Sequence, residues 1–217
     1  MSPKTHEYAG DNITVRYESK RCIHAAKCVH GLPAVFNTKE RRWVQPENAS
    51  ADEVAAVVMN CPSGALHFER NDGGADEIIP HQNVIRARAN GPHYVRGDIQ
   101  VLTAKGEAPL QETRAAFCRC GASKNKPFCD NSHAQIAFQD AATWTHDIAA
   151  RSGECTPQSL NITPLLNASL KVEGEMEIYN AGGALSFRGN EAYLCRCGAS
   201  QNKPFCDGSH ARIDFKD

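Results

Sequence analysis

A charge excess of either sign is missing from this chain. Its 24 lysines and arginines face 25 aspartates and glutamates, a formal net charge of −1 over 217 residues. That balance leaves no electrostatic footprint for nucleic acid or an anionic membrane. Long hydrophobic runs are missing too: no apolar stretch approaches the roughly 20 residues of a membrane helix. The opening, MSPKTHEYAGDN, lacks the apolar stretch of a secretory signal. The glycine-rich nucleotide loops and the G-x-S-x-G elbow are absent. With no His/Glu set to spare for acid–base work, the chain is not expected to be an enzyme.

These absences give weight to the 10 cysteines. Without export, disulfides are disfavoured, and clustered cysteines serve metal binding or redox work. The expectation is a soluble, cytoplasmic protein with no nucleic-acid or membrane partner. The Asn-x-Ser/Thr triplets at Asn12, Asn48, Asn161 and Asn167 are then chance matches.

The cysteines sit in a repeat. CRCGASKNKPFCDNSH at 118–133 returns as CRCGASQNKPFCDGSH at 195–210, differing only at Lys124/Gln201 and Asn131/Gly208. The offset of 77 also carries Pro80 to Pro157, Ile85 to Ile162, Val95 to Val172, Gly97 to Gly174 and Phe138 to Phe215. Two tandem modules, 78–140 and 155–217, follow from it. HYVRGDIQVL and LKVEGEMEIY alternate around a central glycine and predict strand–turn–strand, and AAFC and AYLC lead into the first cysteine. Either module alone is too small to bury much core, so the two are expected to pack together and share strands. The bridge DAATWTHDIAARSGE reads as a loop or short helix.

Residues 1–72 have another texture, and NDGGADE at 71–77 reads as a linker. NITVRYES predicts a strand and RRWVQ a second. SADEVAAVVMN opens with capping-box spacing at Ser50 and Glu53, Pro62 ends that helix, and ALHFE closes the domain as a strand. The order is β–loop–β–α–β.

In each module the candidate ligands are Cys-x-Cys, eight residues, Cys, three residues, His. Two cysteines two apart on an extended segment can grip one ion, and a Cys/His pair four apart on a helical turn shares a face. That division suits a two-iron cluster, but thiolate softness also admits a Cys3His zinc site. The line resembles the signature of the CDGSH iron–sulfur (mitoNEET-like) family, C-x-C-x2-[S/T]-x3-P-x-C-D-G-[S/T]-H. The second module matches throughout, and the first departs only at Asn131, the non-glycine residue most tolerant of left-handed geometry. The resemblance implies one [2Fe–2S] cluster on Cys118, Cys120, Cys129 and His133, and another on Cys195, Cys197, Cys206 and His210. It also implies that the modules form an intramolecular pseudo-dimer with a β-cap, within a chain acting as a monomer. Lys126 and Lys203 are candidates for tuning the clusters, against the plainer reading of solvated lysines. Asp130 and Asp207 are expected to cap the short helix that presents each histidine. One imidazole in place of thiolate removes negative charge, raises the potential as in Rieske centres, and offers a site for protonation near pH 6.5.

CIHAAKC at 22–28 with Cys61-Pro62 resembles a divergent single-cluster ferredoxin-like domain over 11–70, with Ala25 where the middle cysteine would stand. Cys22, Cys28 and Cys61 would hold a [3Fe–4S] cluster, or a [4Fe–4S] cluster with His24 as possible fourth ligand. Cys155 fits neither pattern and reads as an inert thiol. The fold class expected is α+β: small iron–sulfur modules, a ferredoxin-like domain, then tandem CDGSH modules. The function expected is one-electron transfer to a redox partner protein, the alternative a carrier or pH/redox sensor that passes its clusters to an apo acceptor.

Overall fold

The computed structural model describes residues 5–102, 109–144 and 158–217. The chain divides into two compact units, one ending at Ile78 and the other running from Ile79 to Asp217. Cys155 and most of the bridge lie outside the described residues. Among the described residues no helix is long and apolar enough to cross a membrane.

The first unit is a three-stranded antiparallel sheet, β1 (Thr5–Ala9), β2 (Ile13–Glu18) and β3 (Leu66–Arg70), with β2 in the middle. Ile13 and Val15 of β2 and Leu66 and Phe68 of β3 face a core shared with Val54 and Val58 of helix α2 (Ala51–Val58). The predicted capping box is present: Ser50 Oγ accepts from the Glu53 N–H, and the Glu53 carboxylate accepts from the Ser50 N–H at 3.0 Å. Two expectations are corrected. RRWVQ forms no strand; Arg41 and Arg42 are exposed, and only Val44 makes a single bridge to Phe36. β1 was not foreseen, because an edge strand with alternately exposed and half-buried residues carries little hydrophobic signal. A short helix, α1 (Lys27–Gly31), carries Cys28.

The second unit holds β4 (Val84–Ala87), β5 (His93–Val101), β6 (Leu110–Phe117), β7 (Leu160–Pro164), β8 (Leu170–Tyr179) and β9 (Leu185–Leu194). The 77-residue offset lays β4 on β7, β5 on β8 and β6 on β9. β5 pairs with β6 over most of its length, and with both β4 (antiparallel) and β7 (parallel). β8 does the same with β9, β7 and β4. The short strands β4 and β7 therefore form one column between β5 and β8, each pairing with its own module and with the other. Asn83 stands where their starts meet, its Nδ2 donating to Gln158 O at 2.8 Å and Glu175 O at 2.9 Å. Ile85, Val95, Ile99 and Phe117 of the first module and Leu160, Ile162, Val172 and Ile178 of the second fill one core.

The strand–turn–strand expectation is also corrected. Residues 93–101 and 170–179 are single strands, irregular between Arg96 and Ile99 and between Glu173 and Met176. Gly97 has φ +152°, and a Cβ there would stand 2.0 Å from Asn83 Oδ1. The glycine makes room for the strand junction and makes no turn.

Candidate metal centres

Each repeated line begins where a long strand ends. β6 runs to Phe117 and β9 to Leu194, delivering Cys118 and Cys195 at the edge of the shared core. The chain then leaves and returns. Cys118 N–H donates to Pro127 O (2.9 Å) and Cys129 N–H to Ala116 O (2.8 Å); Cys195 and Cys206 repeat this with Pro204 (2.8 Å) and Tyr193 (2.7 Å). That return brings the third cysteine beside the first.

Small polar residues hold the loop between. Ser123 Oγ donates to Phe128 O at 2.6 Å, and Ser200 Oγ to Phe205 O at 2.7 Å. Asp130 accepts from Ser132 N–H (3.0 Å) and from Lys124 N–H (2.8 Å). Asp207 accepts from Ser209 N–H and Gln201 N–H, both at 2.9 Å. Burial works against the Asp130 carboxylate, but these hydrogen bonds outweigh it and hold its pKa below the usual range. The Ser209 and Gln201 hydrogen bonds likewise hold Asp207 low. The N-cap position itself falls one residue later than expected, on Asn131 (φ 72°) and Gly208 (φ 82°), ahead of the short helices α3 (Ser132–Gln135) and α4 (Ser209–Arg212). Asn131 thus adopts the glycine geometry.

The donors fall into pairs. Cys118 and Cys120 Sγ are 3.8 Å apart, as are Cys195 and Cys197. The Cys129 Sγ and His133 Nδ1 are 3.3 Å apart, and Cys206 Sγ and His210 Nδ1 3.2 Å. Two thiolates about 2.3 Å from one tetrahedral metal lie about 3.8 Å apart, so each leading pair has the bite of a single metal centre. Among the described residues no three His, Cys, Asp or Glu side chains are placed to share one ion. Left to themselves the thiols of a leading pair share one proton. The hydrogen bond between them and nearby N–H groups, against burial, pull Cys118 and Cys197 down to about 6 and push Cys120 and Cys195 up. Burial raises Cys129 to about 12. Metal binding requires all of these as thiolates and releases their protons.

The arginine inside each Cys-x-Cys went unread in the sequence. Arg119 and Arg196 are buried. Arg119 donates to Gly91 O (2.8 Å), Arg88 O (2.6 Å) and Asp140 Oδ2 (2.6 Å). Arg196 donates to Ala168 O (3.0 Å), Leu165 O (2.6 Å) and Asp217 Oδ1 (2.8 Å). Every partner is offset by 77, which was the available signal. Lys203 Nζ donates to Ser200 O at 2.6 Å and lies 3.8 Å from Asp140 Oδ2, in the other module. Lys126 Nζ sits 5.6 Å from the Phe215 ring centroid, also across the modules. The two Cys-x-Cys loops touch: a Cβ on Gly121 would stand 2.7 Å from Cys197 O, and one on Gly198 3.1 Å from Cys120 O.

In the first unit Cys22, Cys28 and Cys61 line a small cavity of about 30 Å³ together with Ala25. Cys22 and Cys28 also border an outer pocket of about 410 Å³, and His24 lies on that pocket. Burial raises the Cys28 thiol, helped by Cys61 and Cys22 nearby. Tyr17 packs edge-on to Trp43 at 4.9 Å and hydrogen-bonds Cys22. The three cysteines thus converge, with Ala25 among them and His24 on the outer side.

Comparison with known proteins agrees with this division. The family model for the divergent 4Fe–4S mono-cluster matches residues 8–71. That for the iron-binding zinc finger of CDGSH type matches twice, over 90–134 and 167–211. The uncharacterized protein YjdI of Escherichia coli K12 is 36% identical over 61 residues, 28% of this chain and 80% of that protein, and YjdI of E. coli O157:H7 matches equally. No solved structure matches. The chain belongs to the CDGSH-type iron–sulfur proteins, with two such domains behind a divergent 4Fe–4S mono-cluster domain.

Proposed function

We propose that the protein carries single electrons, through two [2Fe–2S] clusters with Cys3His ligation and a third, [3Fe–4S] or [4Fe–4S], in the first unit. The observation that carries this reading is the donor pairing: 3.8 Å between the leading thiols and 3.2–3.3 Å between thiol and imidazole, twice. Cys118, Cys120, Cys129 and His133 hold the first cluster; Cys195, Cys197, Cys206 and His210 hold the second. Cys22, Cys28 and Cys61 hold the third, with His24 available from the outer pocket. Such clusters supply one-electron chemistry at a potential set by ligand charge, hydrogen bonds and exposure. The exchanged strands and touching loops support the view of the modules as an internal pseudo-dimer whose shared sheet is the β-cap.

A second reading has its own observation. The histidines are half-buried, as are Cys120 and Cys206, whereas Cys118, Cys129, Cys195 and Cys197 are buried. A ligand that water can reach and that protonates readily suits a cluster carrier. Iron and acid-labile sulfide on anaerobically purified protein, followed by a redox titration, test the first reading. About seven or eight irons with about eight sulfides, and reversible one-electron reduction, support it; zinc without sulfide overturns it. Transfer to an apo-ferredoxin faster than free iron and sulfide allow favours the carrier.

A further inference from the structure

Charge is spread unevenly over the first unit. Residues 19–43, which carry Cys22 and Cys28, hold six of the nine lysines and arginines of residues 1–78 but only one of the eleven aspartates and glutamates. Two of the six are committed to the fold. Arg21 is buried and donates to Ser63 O at 3.0 Å, and Arg42 donates to Ala9 O at 2.7 Å and pairs with Glu47. Lys20, Lys27, Lys39 and Arg41 are exposed. Elsewhere in the unit Arg16 and Arg70 are each held between two carboxylates. Among the described residues Lys27, Lys39 and Arg41 make no ion pair.

These cations stand around the outer pocket. Thr38 and Glu40 line it, and Lys39 and Arg41 alternate with them along a loop pinned at both ends. Asn37 N–H donates to Trp43 O at 2.8 Å, Asn37 Oδ1 accepts from Lys39 N–H at 3.1 Å, and Phe36 bridges to Val44. Lys27 lines the inner cavity with the three cysteines. Tyr17, Val29 and Trp43 give the outer pocket an apolar wall, and its volume of about 410 Å³ is that of a ligand pocket. No lysine or arginine lines it among the described residues. An anion is therefore not drawn inside; the cations face a surface wider than the pocket. Glu40, the one carboxylate of the segment, is flanked by two of them, so the loop stays net positive. An apolar, aromatic centre within a charged rim is the anatomy of a protein interface.

We infer that this face of the first unit is the docking surface for an acidic partner protein. The partner sets an apolar side chain into the pocket, and its carboxylates meet Lys27, Lys39 and Arg41. Opposite charge steers the encounter and the pocket fixes its register. The inference rests on the electron-transfer reading and deepens it: the partner meets the chain where Cys22 and Cys28 border the pocket.

The test is binding of a synthetic peptide of glutamates around one phenylalanine to the full chain, purified anaerobically with iron and sulfide counted. Fluorescence anisotropy reads the Kd without a redox step, so failed docking and a failed cluster reading are told apart. The wild type is expected to bind this peptide and to ignore a lysine peptide of the same design. Its affinity should fall about tenfold or more as salt rises from about 20 to about 200 mM. Lys39→Glu with Arg41→Glu should weaken binding about tenfold or more at low salt, and Lys27→Glu about threefold or more. Lys216→Glu, at an exposed lysine of the second unit, should leave it unchanged. Alanine in place of the peptide's phenylalanine should weaken it too. No binding, or binding untouched by the charge reversals, overturns the inference; dependence on the phenylalanine alone makes the pocket a small-molecule site. A wild type that associates with itself in low salt and leaves the peptide free overturns it as well, with a second copy as the occupant.

Discussion

Arg119 and Asp140 meet at 2.6 Å across 21 residues of chain that contain three of the four donors of the first CDGSH site. The guanidinium is completely buried and the carboxylate nearly so. Arg196 and Asp217 repeat the clasp around the second site. Removing one partner of a buried pair leaves an uncompensated charge and costs about 3–5 kcal/mol. Asp140→Ala should therefore lower the unfolding free energy of the second unit by several kcal/mol in a urea titration. A loss under about 1 kcal/mol would mean that the backbone carbonyls alone satisfy Arg119.

The contact between the Cys-x-Cys loops makes the sites depend on one another. Gly121 has φ +81°, and its missing Cβ leaves room for Cys197 O at 2.7 Å. Gly121→Ala should cut iron and sulfide at both sites, although only one loop is altered. Gly183→Ala is the control, since Gly183 has φ +85° with nothing within 4 Å. It should leave both sites loaded.

Acid should act through the histidines. Burial, and then the Arg119 charge, press the His133 pKa below 6.5 against the pull of Asp130. The neutral ring is the ligand form, so a lowered pKa extends binding toward acid, and loss sets in below it. Cluster absorbance should decay faster as the solution is made progressively more acid than the ordinary imidazole value of about 6.5. His133→Cys with His210→Cys should flatten that dependence, and an unchanged rate at pH 6 would remove the imidazoles from the explanation.

Ser50→Ala should cost the first unit about 1 kcal/mol by removing the cap of α2. The Ser50 hydroxyl, and then its N–H, hold the Glu53 pKa low. A depressed carboxylate stabilises above its unfolded pKa and loses that contribution as pH falls through the folded one. The penalty of Ser50→Ala should thus be smaller at pH 3 than at pH 7 in parallel denaturant curves.

The donors were legible because the repeat printed them twice, and their pairing followed from spacing. Asn131 was legible because few residues besides glycine accept its backbone. That the modules share strands was expected, but which strands cross was not legible, since nothing in the alternation of residues 84–87 or 160–164 says which partner lies on either side. Gly97 misled because a glycine in an alternating run signals a turn, whereas here it yields space to Asn83, a residue distant from any motif. Arg119 was overlooked because a charged residue between two cysteines reads as a solvent spacer until the carbonyls of Arg88 and Gly91 are seen to enclose it.

The column made by β4 and β7 sets an order of assembly. While the chain is being synthesised, β4 has one edge waiting for residues 177–179, which emerge after the whole first ligand line. The shared sheet therefore stays incomplete until strands of the second module have emerged.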